Sequence, residues 1–119
     1  MTASDALSVV RAYHEAWTSK RFDDAVRLLA RDLEVEVPVN EYPMLESFAA
    51  ALEAFGSTVK SVDLLSAMSA DDEAMLLYDL DVQGLRRMRV GEHFTLDGGK
   101  IVRIRQIDDT VVLREAGFV

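Results

Sequence analysis

Three observations predict an α+β domain in which a curved, mostly antiparallel sheet packs its concave face on three helices from the N-terminal half. Up to Gly56, most apolar residues recur every three or four positions. From Ala74 onward most of them recur at every second position. The alternating segments are joined by short polar or glycine-containing turns, as in a meander of hairpins. Helices packed on the concave face of such a sheet share one core with it.

The elements follow in order. In Asp5 to Thr18, Leu7, Val10, Tyr13 and Trp17 fall on one helix face, widened by Val9 and Ala16. Asp23 is a capping residue for a second helix, whose apolar side is Ala25, Val26, Leu28 and Leu29. Leu33 to Val39 alternates strictly, with Leu33, Val35, Val37 and Val39 inward and Glu34 and Glu36 outward. Pro38 has no N–H to donate, so this strand ends there or lies at an edge. Pro43 suits the first turn of a third helix, in which Leu45, Phe48, Leu52 and Phe55 share a face until Gly56 ends it. Three strands are then expected over Val59–Ala67, Ala74–Gln83 and Met88–Leu96. A hairpin at Asp97-Gly-Gly-Lys100 leads into a last strand over Ile101–Asp108.

Composition narrows the function. The chain has 119 residues, half of them hydrophobic, which fits one domain over 1–119 with a single core. Its net charge of −8 argues against nucleic acid, whose phosphates call for a basic footprint. It has no cysteine, which excludes disulfides, thiolate metal sites and cysteine nucleophiles. His14 and His93 lack metal-ligand spacing, and no glycine-rich loop is placed to cradle phosphate. Neither a metal nor a cofactor is therefore expected. The start, Met1-Thr-Ala-Ser-Asp5, has no basic or apolar leader region, and no run reaches membrane-spanning length. The expectation is a cytoplasmic protein with no membrane partner.

One position stands out chemically. On the Met88–Leu96 strand, one face reads Met88, Val90, Glu92, Phe94, Leu96. A carboxyl among hydrophobes is costly to bury unless it is protonated, hydrogen-bonded or paired. Glu92 is a structural carboxyl with a tyrosine or backbone partner, a carboxylate at a solvated strand end, or a functional group. The same alternation sends Tyr78, Gln106 and Asp108 inward, and Tyr13 comes in from the first helix.

The element order and several local sequences resemble the nuclear-transport-factor-2-like superfamily, which implies a cone-shaped barrel of the curved sheet wrapped on the helices. The pieces that carry the resemblance are Tyr13-His-Glu-Ala-Trp17 before Phe22-Asp-Asp-Ala25, then Glu36-Val-Pro38, and above all Glu92-His-Phe-Thr-Leu-Asp-Gly-Gly-Lys-Ile101. The tail from Asp108 to Gly117 looks like the end of SnoaL-like polyketide cyclases. The superfamily holds isomerases, hydrolases, cyclases, dehydratases and non-catalytic binders, so the fold alone does not select an activity.

Carried over residue by residue, the ketosteroid isomerases place an oxyanion-binding Tyr where Tyr13 stands and an Asp where Glu92 stands. Their general base precedes a proline on the first strand, where this chain has Val37 before Pro38. Limonene-epoxide-hydrolase-like members use an Asp–Arg–Asp set; one of those Asp positions is Gln106 here, and Asp79 and Asp81 have no inward Arg between them. The SnoaL-like cyclases use a carboxylate near the end of the last strand, which Asp108 matches. The resemblance thus implies Glu92, Tyr13 and Asp108 as a candidate acid/base set. It implies Trp17, Val37, Tyr78, Phe94 and Gln106 as ligand-binding residues, and a homodimer formed through the outer sheet face.

That outer face has its own reading. Folding the chain about Gly84 sets Asp81 opposite Arg87 and Asp79 opposite Arg89, with Arg103 and Arg105 on the next strand. The basic run Arg86-Arg-Met-Arg89 is therefore sheet pairing, and strand alternation turns His93 outward. Met44, Met68, Met75 and Met88 read as core or pocket lining. Two functions stay open: an acid/base isomerase, cyclase or hydrolase acting on a small hydrophobic molecule, or a non-catalytic pocket or interaction module.

Overall fold

A computed structural model of the chain describes residues 3–38, 40–42, 44–108 and 110–115. Four helices and six strands follow in the order α1 (Ala3–Thr18), α2 (Phe22–Val26), β1 (Leu29–Val37), β2 (Asn40–Tyr42), α3 (Leu45–Gly56), β3 (Val59–Ala70), β4 (Glu73–Val82), β5 (Met88–Asp97), β6 (Lys100–Asp108) and α4 (Thr110–Glu115). The strands form one sheet in the order β2-β1-β6-β5-β4-β3. All neighbouring pairs are antiparallel except β1 with β6. The α+β cone with its helices in the N-terminal half is the architecture expected from the sequence. The short β2 and α4 were not anticipated, being too brief to carry a periodic signal. Val39 and Pro43 lie outside the described residues.

Local chemistry accounts for the joints. Thr18 Oγ1 bonds back to His14 O at 2.7 Å as α1 ends, and Lys20 then takes the left-handed backbone, φ 66°. The Lys20 ammonium donates to Gly56 O and to Val59 O, fastening the α1–α2 turn to the carbonyl end of α3. β1 stops at Val37 and Pro38 begins the turn, as its missing donor requires. At the β5–β6 hairpin, Gly98 and Gly99 have φ of 58° and 83°. That conformation belongs to a type I′ turn, and glycine adopts it without strain. Register shifts in β3 near Leu64 and between Thr95 and Leu96 on β5 bend the sheet.

The inner face is read in rows across paired strands, because directly opposed residues share a face. Leu80 faces Met88; Tyr78 faces Val90, which faces Asp108; Leu76 faces Glu92, which faces Gln106. The next row is Ala74, Phe94, Ile104 and Val35, and beyond it Leu96 meets Ile101, which meets Leu29. The last two rows are fully or nearly fully buried and form the packed end of the cone.

The outer face carries the anticipated ion pairs. Arg89 holds Asp79 through two hydrogen bonds, at 2.8 and 3.1 Å, and Arg87 joins Asp81 and Asp63. Arg103 and Arg105 are paired instead with Glu34 and Glu36 on β1. Three of the four methionines read as interior are not: Met44, Met68 and Met75 are exposed, while Met88 is buried. Met68 and Met75 face each other across β3 and β4 on the outside of the sheet. No helix of the described residues is long and apolar enough to cross a membrane.

Candidate functional site

A cavity of about 380 Å³ lies between the sheet and helices α1 and α3. The sheet supplies Tyr78 and Leu80 from β4, Met88, Val90 and Glu92 from β5, and Gln106 and Asp108 from β6. These come from the first three inner rows, so the cavity occupies one end of the cone and stops at the Phe94 row. Helix α1 contributes Tyr13 and Trp17 at helical spacing. Helix α3 contributes Phe48, Ala51, Leu52, Ala54 and Phe55, and Val37, Pro38, Tyr42 and Thr58 complete the wall.

The space exists for a composition reason. Rows that meet large side chains are filled, whereas α3 presents the short Ala51 and Ala54 toward this end. Sequence periodicity placed Phe48, Leu52 and Phe55 on the inner side of α3, but it did not show that the small residues between them leave a void. The lining roles of Tyr42, Thr58 and Leu80 were also missed.

Glu92 sits on the cavity floor, only 4% exposed. Tyr78 Oη donates a 2.6 Å hydrogen bond to its Oε1. Tyr78 stands opposite Val90, so it reaches Glu92 along the diagonal of the antiparallel pair, within range of a long side chain. Tyr13, the partner suggested by the family resemblance, lines the same cavity, and the negative charge of Glu92 helps hold its hydroxyl protonated; the hydrogen bond to Glu92 comes from Tyr78. The signal for Tyr78 was available. The Asp79–Arg89 pairing already implied Tyr78 opposite Val90 and hence diagonal to Glu92.

Burial pushes the Glu92 carboxyl up from its ordinary 4.5 to about 7, and the Tyr78 hydrogen bond pulls the other way without overcoming it. Burial raises both tyrosine hydroxyls well above 10, and the negative charge of Glu92 raises them further. Asp108 adds to that effect on Tyr78. The floor is thus a compact region of negative potential in which the phenols stay protonated and one carboxyl changes charge near neutrality.

Tyr13, Glu92 and Asp108 line this one cavity, together with Trp17, Val37, Tyr78 and Gln106. Phe94 departs from the expectation. Its ring lies beneath the floor, fully buried, edge-on to Tyr13 at 5.9 Å between centroids. One residue passed over in the sequence is His14. It is buried behind Tyr78, ring to ring at 4.8 Å, with its Nδ1 unpaired. Burial lowers it to about 4, so it is a neutral ring behind the wall at pH 7. His93 is turned outward and meets Glu73 at 2.8 Å. Among the described residues, no group of three His, Cys, Asp or Glu side chains is arranged to hold a metal ion.

Comparisons with known proteins agree with this architecture. A protein from Kribbella flavida DSM 17836 is 30% identical over 92% of this chain and 91% of its own, with a TM-score of 0.88. An NTF2-like protein of Cytophaga hutchinsonii is 16% identical over 92% of this chain and 94% of its own, with a TM-score of 0.82. An LEH-like epoxide hydrolase of M. tuberculosis is 20% identical over 96% of this chain and 90% of its own, with a TM-score of 0.79. No curated protein matches the chain. The SnoaL-like domain model matches residues 10–104, which takes in every cavity element from α1 to most of β6. This match makes the chain a member of the SnoaL-like domain family, and its cone has the fold of the NTF2-like proteins.

Proposed function

We propose that this protein binds a small, mostly apolar molecule in the cone cavity, with one polar end of the ligand at the Tyr78–Glu92 pair. The observation that carries this reading is a cavity of about 380 Å³ whose apolar wall converges on one buried, hydrogen-bonded carboxyl. That size and that division of labour, apolar walls with a few fixed polar groups, are typical of small-molecule sites. The experiment is native mass spectrometry and calorimetry of the purified protein against a hydrophobic fragment set. Saturable one-to-one binding that is weakened by Ala51→Phe, which fills the cavity from α3, supports the reading. Equal binding to the parent and the filled variant overturns it.

A specific observation also favours acid/base chemistry at this site. A carboxyl raised to about 7 still carries its proton in much of the protein at neutral pH and can donate a hydrogen bond to a developing oxyanion. In this reading Glu92 and Tyr13 stabilise a developing oxyanion and Asp108 moves a proton, with no cofactor. Val37 occupies the place of the family's base before Pro38 and lines the cavity, so Val37→Asp should introduce allylic isomerisation of a bound enone. Strong isomerisation by the parent would assign the base elsewhere.

The outer sheet face supports a homodimer. Met68 and Met75 face each other, Leu77 and the 72% exposed Ile107 flank Gly91, and ion pairs of both signs border them. A second copy offers the same apolar strip and the same mixed charges. Light scattering at micromolar concentration should give twice the chain mass, and Leu77→Arg should halve it. A parent of single-chain mass overturns the dimer.

A further inference from the structure

The cavity has an electrostatic character that selects among hydrophobic ligands. Its described lining includes two carboxyl side chains, Glu92 and Asp108, and no Lys, Arg or His. Tyr13, Trp17, Tyr42, Phe48, Phe55 and Tyr78 surround the same space. Aromatic faces attract a cation through their quadrupole, most strongly when water is excluded. The two carboxyls act at one place, because Glu92 and Asp108 both disfavour removal of the Tyr78 proton. A net charge of −8 adds a long-range preference for cations.

We infer that the preferred ligand is a hydrophobic monoamine, a compact apolar body carrying one ammonium group, with the ammonium at Glu92 and the body among the aromatic rings. This inference rests on the binding role proposed for the cavity and names the ligand class. Tyr78 donates to Oε1 of Glu92, and an ammonium supplies a further donor and a counter-charge to the same carboxylate. An anionic ligand meets repulsion from the Glu92 carboxylate and finds no cation on the described wall. A neutral ligand gains the apolar contacts and a hydrogen bond at the pair, without the counter-charge.

The groups that face Glu92 set the pH behaviour. They are Tyr13 from α1, Tyr78 from β4 and Asp108 from β6, with His14 behind Tyr78. Both tyrosines keep their protons through neutral pH, and His14 stays uncharged there. Free Glu92 holds its proton below about 7, so entry of an ammonium at pH 6 expels that proton to the buffer.

The test uses three probes with one carbon cage: adamantylamine, adamantanol and adamantane carboxylate. Calorimetry at pH 7.5 should show the amine about tenfold tighter than the alcohol, and the carboxylate weakest. Glu92→Gln should abolish the amine's advantage, bringing amine and alcohol within about twofold of each other. In the parent at pH 6, titrations in two buffers of different ionisation enthalpy should show proton release for the amine and none for the alcohol, a readout independent of the variant's folding. An alcohol that binds as tightly as the amine, a carboxylate that binds tightest, or an amine that releases no proton overturns the inference while the binding role stands. No binding of any probe, together with no one-to-one binding in the fragment screen, overturns both.

Discussion

β5 carries Val90 and Glu92 on the same face as Phe94 and Leu96, yet the two pairs occupy different environments. Phe94 and Leu96 belong to rows filled across the whole sheet, by Ala74, Ile104 and Val35 on one side and by Ile101 and Leu29 on the other. Val90 and Glu92 belong to rows that face the cavity and the small Ala51 and Ala54 of α3. Strand alternation is identical at both ends. The difference arises from what the opposing helix brings, and it lets one end act as foundation and the other as binding space. Glu92 stands on the boundary row, where burial is deep enough to raise a carboxyl and the cavity still reaches it. Phe94 beneath it braces Tyr13, so the packed end holds a wall of the open end in place.

The sharpest way to break this comparison is to truncate one aromatic at each end. Phe94→Ala removes a fully buried ring from closely packed neighbours and should cost about 3–5 kcal/mol. Phe48→Ala removes a ring that already borders a void and should cost about 1–2 kcal/mol, since fewer contacts are lost. Denaturant midpoints at pH 7 measure both. Equal costs would mean that the cavity end is packed like the other.

The boundary carboxyl gives the next effect. The folded value of Glu92, about 7, lies above its ordinary 4.5. The native state therefore holds this proton more tightly than the unfolded chain does. The stability linked to it is full below 4.5 and is lost as pH rises through 7. Glu92→Gln keeps the shape and an acceptor for Tyr78 while removing the charge. It should stabilise the protein at pH 8 by up to about 3 kcal/mol and change little at pH 4. Paired denaturant titrations decide it. Greater destabilisation at pH 8 than at pH 4 would show an ionised, fully satisfied carboxylate, and Glu92 would then be structural.

What the sequence disclosed follows the same division. Helix spacing and strand alternation reveal which residues face inward, so the core, the inward Tyr78, Glu92, Gln106 and Asp108, and the Asp79–Arg89 and Asp81–Arg87 pairs were all legible. Alternation does not tell whether the space ahead of an inward residue is filled. Phe94 was therefore assigned to the cavity it underlies, and α3's contribution went unseen. Pairing Glu92 with Tyr13 followed a family pattern, although the diagonal from Tyr78 was implied by the register. The methionines misled for another reason. Met68 and Met75 are apolar residues on the outer face of a sheet, and their exposure depends on what covers that face.

His14 refines the comparison with the smallest effect. It stands behind Tyr78, in contact with the rings of Trp17 and Tyr78, and it titrates with the opposite sign to Glu92. Its folded value, about 4, lies below its ordinary 6.5 because burial disfavours the charged ring. Between those values the unfolded chain binds the proton that the native state refuses, so His14 costs stability as pH falls from 6.5 toward 4. Glu92 gains stability over much of the same range, and the two terms offset each other. The parent should therefore show a nearly flat stability profile between pH 7 and pH 5. His14→Phe keeps an aromatic ring beside Trp17 and Tyr78 and removes the unpaired Nδ1. It should be more stable than the parent by about 1 kcal/mol at pH 5 and close to it at pH 8, with the gain reduced by the slightly larger ring. Its profile should rise on acidification, whereas that of Glu92→Gln should fall. If both variants kept the flat parent profile, neither group would be buried deeply enough to shift, and the cavity end would be solvated down to its floor.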